Sequence, residues 1–307
     1  MENKYNFKGF ISFLKIFKDE QTCREFLEHL RWGGKPVCVN CGNSEKIYRL
    51  KSERTLKCSK CDRNFRVTNG TVFHSTHISL QNWFIAIYLF SSNKNGLSSC
   101  QLAKHLEITQ PNAWYVLDRI RNVMDKSKQF DEILEGIIEA DESYIGGKNK
   151  NRHWDKKFKY SQGRSVVDKK PVFGILQRNG MVKVWTLDKL DGVEMKTIIR
   201  TNVVKKSIVC TDEYRVYRGL KNKKRFKHYV IDHSKSQHKI DEFYHTNNIE
   251  NFWNFIKRAV TGTYHKVDKI YLNKYAKEAA YRYNTRKMSD GIRFIELLKE
   301  CVQTKLK

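Results

Sequence analysis

Apolar positions along the 307-residue chain follow two periods, and the change between them marks out its parts. Cys23, Phe26, Leu27 and Leu30 recur at the spacing of a one-sided helix, which predicts a helical lead-in over residues 1–36 whose role is packing. Ser79 suits a cap for a helix with the stripe Leu80, Trp83, Phe84, Ile87 and Tyr88, and shorter helices follow over Ser98–Leu106 and Thr109–Asn122. Beyond Glu135 short β-prone runs take over: Ile137–Ile145, Val172–Leu176, Val182–Leu187, Ile208–Asp212 and His228–Ile231. Asn179-Gly180 is a hairpin signal between the second and third runs. Helical spacing returns at Glu194–Val204, Asn247–Val260, Leu272–Arg286 and Ile292–Val302. Three strands, a helix, two strands and then helices predict a mixed sheet flanked by helices, so the whole reads as a multidomain α+β and α/β chain.

Residues 37–72 break this pattern, being rich in Cys, Lys, Asn and Ser with short β-prone runs at Lys46–Leu50 and Asn64–Val67. Cys38-x2-Cys41 and Cys58-x2-Cys61 are two knuckles separated by 16 residues, a spacing that lets four thiolates converge on one structural Zn²⁺. A redox dithiol pair is the competing reading. Cys23, Cys100, Cys210 and Cys301 are isolated and read as packing residues, and His74 and His77 as loop residues. The predicted domains are the lead-in to 36, the ribbon over 37–72, a helical domain over 79–130 and a mixed-sheet domain over 135–305 interrupted by a basic loop, 148–170.

Charge changes the picture most. Lys and Arg number 59 against 33 Asp and Glu, a formal net charge of +26 spread along the chain. That points to a polyanion, and DNA fits better than a membrane surface because neither a long apolar span nor a basic amphipathic helix is evident. Solubility alone is the bland alternative. Residues 1–17 lack an apolar signal core, so a cytoplasmic, nucleoid-associated location is expected. Lys46, Arg49, Lys51, Arg54, Lys57, Lys60, Arg63 and Arg66 make the ribbon a candidate phosphate-contacting surface. Leu102, Leu106, Ile108, Ala113, Val116, Leu117 and Ile120 suit the core of a helix-turn-helix, leaving Gln110, Asn112, Trp114, Tyr115 and Arg119 to face DNA. Asn and Gln suit adenine edges and Arg suits guanine, but any helical hairpin satisfies the apolar spacing.

Asp141 stands in the middle of an apolar strand and Asp212 ends another. A carboxylate at a strand centre is costly unless paired or metal-bound, whereas one at a strand end is also a common helix cap. Ile249, Phe252, Trp253, Ile256 and Val260 form an apolar stripe opposite a polar one of Asn247, Glu250, Asn254 and Lys257. Glu250 is placed to complete a two-metal site and Lys257 to touch phosphate, and the rival is a solvated face with an Asn247-to-Glu250 capping box.

Glu139-Ala140-Asp141-Glu142-Ser143-Tyr144-Ile145-Gly146-Gly147, Thr211-Asp212, and His245 to Trp253 with Lys257-Arg258 resemble bacterial insertion-sequence transposases of the DDE class that carry a zinc ribbon ahead of the catalytic domain. Gly262-Thr263-Tyr264-His265 and Tyr283-Asn284-Thr285-Arg286 extend the likeness. The resemblance implies an RNase H-like fold with Asp141, Asp212 and Glu250 as catalytic acids, and Asn247 as rival for the third place. It further implies two Mg²⁺ or Mn²⁺ ions assisting DNA strand cleavage and strand transfer, with element ends and target DNA as partners. Joining two ends leads one to expect a homodimer or higher oligomer. Lys257 and Arg258, with Lys148, Lys150 and Arg152 of the basic loop, are the expected backbone contacts. A DNA-binding regulator without chemistry, and a nuclease that cuts without joining, are the alternatives.

Overall fold

The structure, a computed structural model, describes residues 7–52, 54–147, 153–159, 169–220, 225–231 and 244–304. Lys148, Lys150 and Arg152 therefore lie outside the described residues. Contacts divide the chain into two compact units, one running to Lys126 and resuming at Lys287, the other spanning Ser127–Arg286.

The first unit opens with α1 (Phe10–Ile16) and α2 (Glu20–Trp32). Asp19 caps α2 by accepting from the Thr22 N–H at 2.8 Å, and Gly33, at φ +63°, ends it in the left-handed conformation that glycine adopts without strain. A three-stranded antiparallel sheet follows, β1 (Ile47–Arg49), β2 (Leu56–Cys58) and β3 (Asn64–Phe65). Then come α3 (Leu80–Ser92), capped by Ser79, α4 (Ser99–Leu106), opened by a Ser98–Gln101 capping box, and α5 (Gln110–Asp125).

In the second unit β4 (Ile137–Gly146), β5 (Lys169–Gln177) and β6 (Val182–Thr186) form an antiparallel meander whose β5–β6 turn carries Asn179 at φ +61°. Helix α6 (Gly192–Asn202) leads to β7 (Ile208–Asp212) and β8 (Lys227–Ile231), which extend the other side of β4 in parallel. The order β6-β5-β4-β7-β8 is that of the RNase H-like fold. Helices α7 (Asn247–Ala259) and α8 (Leu272–Asn284) cover one face through Ile249, Phe252, Ile256, Ala276 and Ala280, while α6 covers the other through Met195 and Ile199. No helix among the described residues is long and apolar enough to cross a membrane.

Three details differ from the sequence-based expectation. The last helix, α9 (Asp290–Gln303), belongs with the first unit, because Phe294 enters that unit's aromatic cluster. The stretch expected as loop to 170 already enters β5 at Lys169 and carries a short 3-10 turn over Trp154–Lys156. Cys100 is exposed, not packed, whereas Cys23, Cys210 and Cys301 are buried.

Phe13 sits at the middle of the aromatic cluster, with ring centroids 4.7 Å from Tyr88, 5.1 Å from Phe17 and 5.2 Å from Phe294. Truncating it removes both transfer energy and packing, so Phe13→Ala is expected to lose about 3–5 kcal/mol in denaturant unfolding, against under about 0.5 kcal/mol for the exposed neighbour Ile11→Ala.

Candidate metal centres

At the centre of the ribbon's small sheet lie the buried Leu56, Phe65, Cys38 and Cys58, with Trp32 packed alongside. Each knuckle is a tight turn: the Gly42 N–H donates to the Cys38 carbonyl at 2.9 Å, and the Asp62 N–H to that of Cys58 at 3.0 Å. Gly42 and Asp62, one residue beyond each Cys pair, both take positive φ. The four sulfurs lie within 4.8 Å of one another, with Cys38–Cys61 and Cys41–Cys58 separations of 3.6 Å. Tetrahedral Zn–S bonds of about 2.3 Å place sulfurs about 3.8 Å apart, whereas a disulfide needs about 2.05 Å. The donor set therefore fits zinc, with the Asn43 amide donating to the Cys58 sulfur at 3.6 Å as an orienting outer contact. His74 and His77 are exposed and outside this group.

The basic residues around the ribbon divide. Arg49 pairs with Glu28 and Lys57 with Asp62, each at 2.7 Å, while Lys51, Arg54, Lys60, Arg63 and Arg66 are exposed. Of the residues expected to read bases, Asn112 is exposed on α5 and Gln110 bonds the Ser99 hydroxyl at 2.8 Å. Arg119 is committed within its own unit: its Nη1 donates to the carbonyls of Val72 and His74 at 2.6 and 2.8 Å, and its guanidinium lies 4.5 Å from the Tyr115 ring. A tie of this kind leaves no sequence signature, since an Arg facing DNA and one facing a backbone turn share the same helical position.

In the second unit, parallel pairing of Glu139 with Cys210 carries two residues further to set Asp141 beside Asp212. On the other flank Asp141 pairs with Gly174, where an added Cβ would come within 2.8 Å of the Trp253 ring. The missing side chain lets Trp253 lie across β5 and donate its indole N–H to Asp141 Oδ2 at 3.0 Å. Asp212 Oδ1 accepts from the Tyr214 N–H at 3.0 Å.

The carboxylates of Asp141, Glu142 and Asp212 lie within 4.8 Å of one another. Strand alternation puts consecutive side chains on opposite faces, so the sequence gives no signal that Glu142 stands beside Asp141. It accepts from the Tyr217 hydroxyl at 2.8 Å, and burial, aided by the Glu142 charge, holds that phenol's pKa well above its usual value so that it stays a donor. Glu250 stands outside this trio and accepts from the Thr246 hydroxyl at 2.9 Å. Burial, then the charges of Asp212 and Glu250, push the Asp141 carboxyl up to about 6, against hydrogen bonds from the Glu142 N–H and Trp253 that lower it. Asn247, Lys257 and Arg258 are exposed on α7. A cluster of hard oxygen donors whose charges repel suits a divalent cation.

The "ISXO2-like transposase domain" profile matches residues 133–284, and the "Transposase zinc-ribbon domain" profile matches residues 18–64. The chain belongs to the ISXO2-like transposases, of the insertion-sequence type that carries a zinc ribbon. In this transposase the first match brackets both aspartates, Glu142 and Glu250, and the second brackets all four knuckle cysteines and takes in α2. The chain is also 24% identical over 255 residues to an uncharacterized protein in transposable element ISH50 of Halobacterium salinarum, covering 80% of this chain and 84% of the relative. Among solved structures, the Mos1 strand transfer complex aligns at 13% identity and TM-score 0.28, covering 73% of this chain and 78% of that one. A Mos1 transposase paired-end complex with the left transposon end aligns at 12% identity and TM-score 0.20, covering 68% and 78%. Likenesses this distant carry no further argument.

Two outcomes follow from the two centres. Elemental analysis is expected to find one zinc per chain, with Cys58→Ser abolishing it and selectively raising hydrogen exchange over the ribbon. The acids give a pH signature: Asp141 titrates near 6 in the folded metal-free chain against an ordinary 3.8, so folding is favoured below 3.8 and that contribution is lost as pH rises to about 6. In metal-free buffer Asp141→Asn is therefore expected to gain about 2–3 kcal/mol over wild type at pH 7.5 relative to their difference at pH 4. A pH-independent difference in denaturant unfolding would contradict it.

Proposed function

We propose that this transposase cleaves DNA at the ends of its insertion element and joins the freed ends to target DNA by metal-assisted phosphoryl transfer, with Asp141 and Asp212 as the central ligands. The observation that carries the reading is the pair of aspartates set side by side, with Glu142 within 4.8 Å, in a chain of net charge +26. Mg²⁺ or Mn²⁺ bound there would supply Lewis acidity and activate water for cleavage and a 3′-hydroxyl for joining.

The chain's own groups do the orienting. Trp253 holds one Asp141 oxygen and Tyr217 holds Glu142. Glu250 on α7, with Asn247 one turn earlier, is the candidate ligand from the facing helix, and Glu142 is the candidate from the strand. Lys257 and Arg258, exposed at the end of α7, are suited to phosphates near the scissile bond. Gln110, Asn112 and the ribbon's exposed Lys and Arg side chains would contact duplex DNA, and pairing two element ends calls for a homodimer or larger assembly.

The test incubates purified protein with Mg²⁺ and labelled DNA from the ends flanking its gene. Asp141→Ala and Asp212→Ala are expected to lower nicking and joining by about a thousandfold with DNA binding retained. Whichever of Glu142→Ala, Glu250→Ala and Asn247→Ala falls as far identifies the third ligand. Binding without metal-dependent cleavage across the whole series would replace the enzyme reading with a DNA-binding regulator, and cleavage without joining would leave a nuclease.

A further inference from the structure

Two residues before Asp141, on the same face of β4, stands a second carboxylate that the proposed chemistry does not use. Glu139 is 0% exposed, and a buried carboxylate is unfavourable unless its oxygens are fully bonded. Its Oε2 accepts from the backbone N–H groups of Asn248 and Ile249 at 2.9 and 3.1 Å. Its Oε1 accepts from the Asn248 side-chain amide at 2.7 Å and from Arg178 Nε and Nη2 at 3.2 and 3.0 Å. His245 Nδ1 lies 3.4 Å from the same oxygen.

The two N–H groups belong to the first turn of α7, where donors have no partner inside the helix and a negative charge is favoured. Helices ordinarily take that cap from their own N-cap side chain. Here the N-cap, Thr246, makes no such bond and turns its hydroxyl to Glu250. The cap of α7 is thus supplied by the strand that carries Asp141.

We propose that Glu139 is a positioning residue, which fixes the rotation and height of α7 against β4 and so sets where Asn247 and Glu250 stand relative to Asp141. Asn248 and Ile249 lie between those two candidate ligands. One turn further on, Trp253 makes the second tether by its bond to Asp141, so strand and helix are pinned at two levels. Arg178 closes the clamp from the end of β5 and also donates to the His245 carbonyl at 3.2 Å, just ahead of the helix. Each residue of helix rotates its side chain by about 100°, so a slip of α7 by one position removes both candidate ligands from the site. The role rests on the proposed phosphoryl-transfer reading for its consequence in catalysis, but not for the clamp itself.

Glu139→Gln tests it, keeping shape and one acceptor oxygen while removing the charge. Asn248→Ala is the milder second variant, removing a single donor, should the first fail to fold. Three quantities are measured on the full chain: hydrogen exchange along α7, β4 and β5, Mn²⁺ affinity by electron paramagnetic resonance, and cleavage at saturating DNA beside DNA affinity. The expected result is exchange at the start of α7 faster by about tenfold with β4 and β5 still protected. Mn²⁺ binding should weaken by about tenfold or more, and turnover should fall by about a hundredfold with DNA affinity unchanged. Wild-type exchange, Mn²⁺ affinity and turnover in the folded variant would overturn the proposal. So would exchange raised uniformly through the unit, which marks an ordinary core residue. If the wild type itself fails to cleave, the phosphoryl-transfer reading falls, while the exchange and Mn²⁺ measurements still decide the clamp.

Discussion

The parallel pairing of β4 with β7 brings two aspartates side by side at a partly buried point of a sheet, and the surrounding structure answers to that repulsion. Desolvation and the neighbouring charges hold Asp141 protonated to about pH 6 when no cation is present. Around this unfavourable pair the chain places donors: the Trp253 indole on Asp141, the Tyr214 N–H on Asp212 and the Tyr217 hydroxyl on Glu142. Gly174 exists on β5 because the indole must cross there. Like charges set this close together favour the binding of a divalent cation between them.

The ribbon follows a different economy. Its small sheet has too few buried side chains to hold together by burial, so four thiolates around one ion take the place of a core. Its exposed Lys and Arg side chains are then free to face outward, which a module built on packing has less room to allow. The helices of the same unit, by contrast, are held by a continuous aromatic cluster in which Phe294 returns from the C-terminal end of the chain.

Much of this was legible in residue order. Strands with period-two or fully apolar patterning and helices with a single stripe were placed within a few residues, because one buried face dictates each pattern. The knuckle spacing and the aspartate motifs point to the two groups of side chains that the fold draws together. Other features depend on partners distant in sequence. Strand β2 carries Lys57 between Leu56 and Cys58 and is too short to show a period. The assignment of α9 to the first unit turns on Phe294 meeting rings from the other end of the chain. Glu142 joins the acids against the alternation rule, Arg119 binds carbonyls 45 and 47 residues away, and Glu139 caps a helix more than a hundred residues downstream. None of these has a local signal, since each contact, whether ring packing, carboxylate proximity or hydrogen bond, is made by the tertiary fold.

The proposed chemistry requires above all that Asp141 and Asp212 jointly hold a divalent cation. Crystals grown with Mn²⁺ and measured at its absorption edge test it without any DNA substrate. The expected result is an anomalous peak within about 2.5 Å of carboxylate oxygens from both aspartates, with the third oxygen around it belonging to Glu142 or to a residue of α7, and no such peak in Asp141→Ala. Ordered aspartates with no Mn²⁺ between them at millimolar concentration would contradict it.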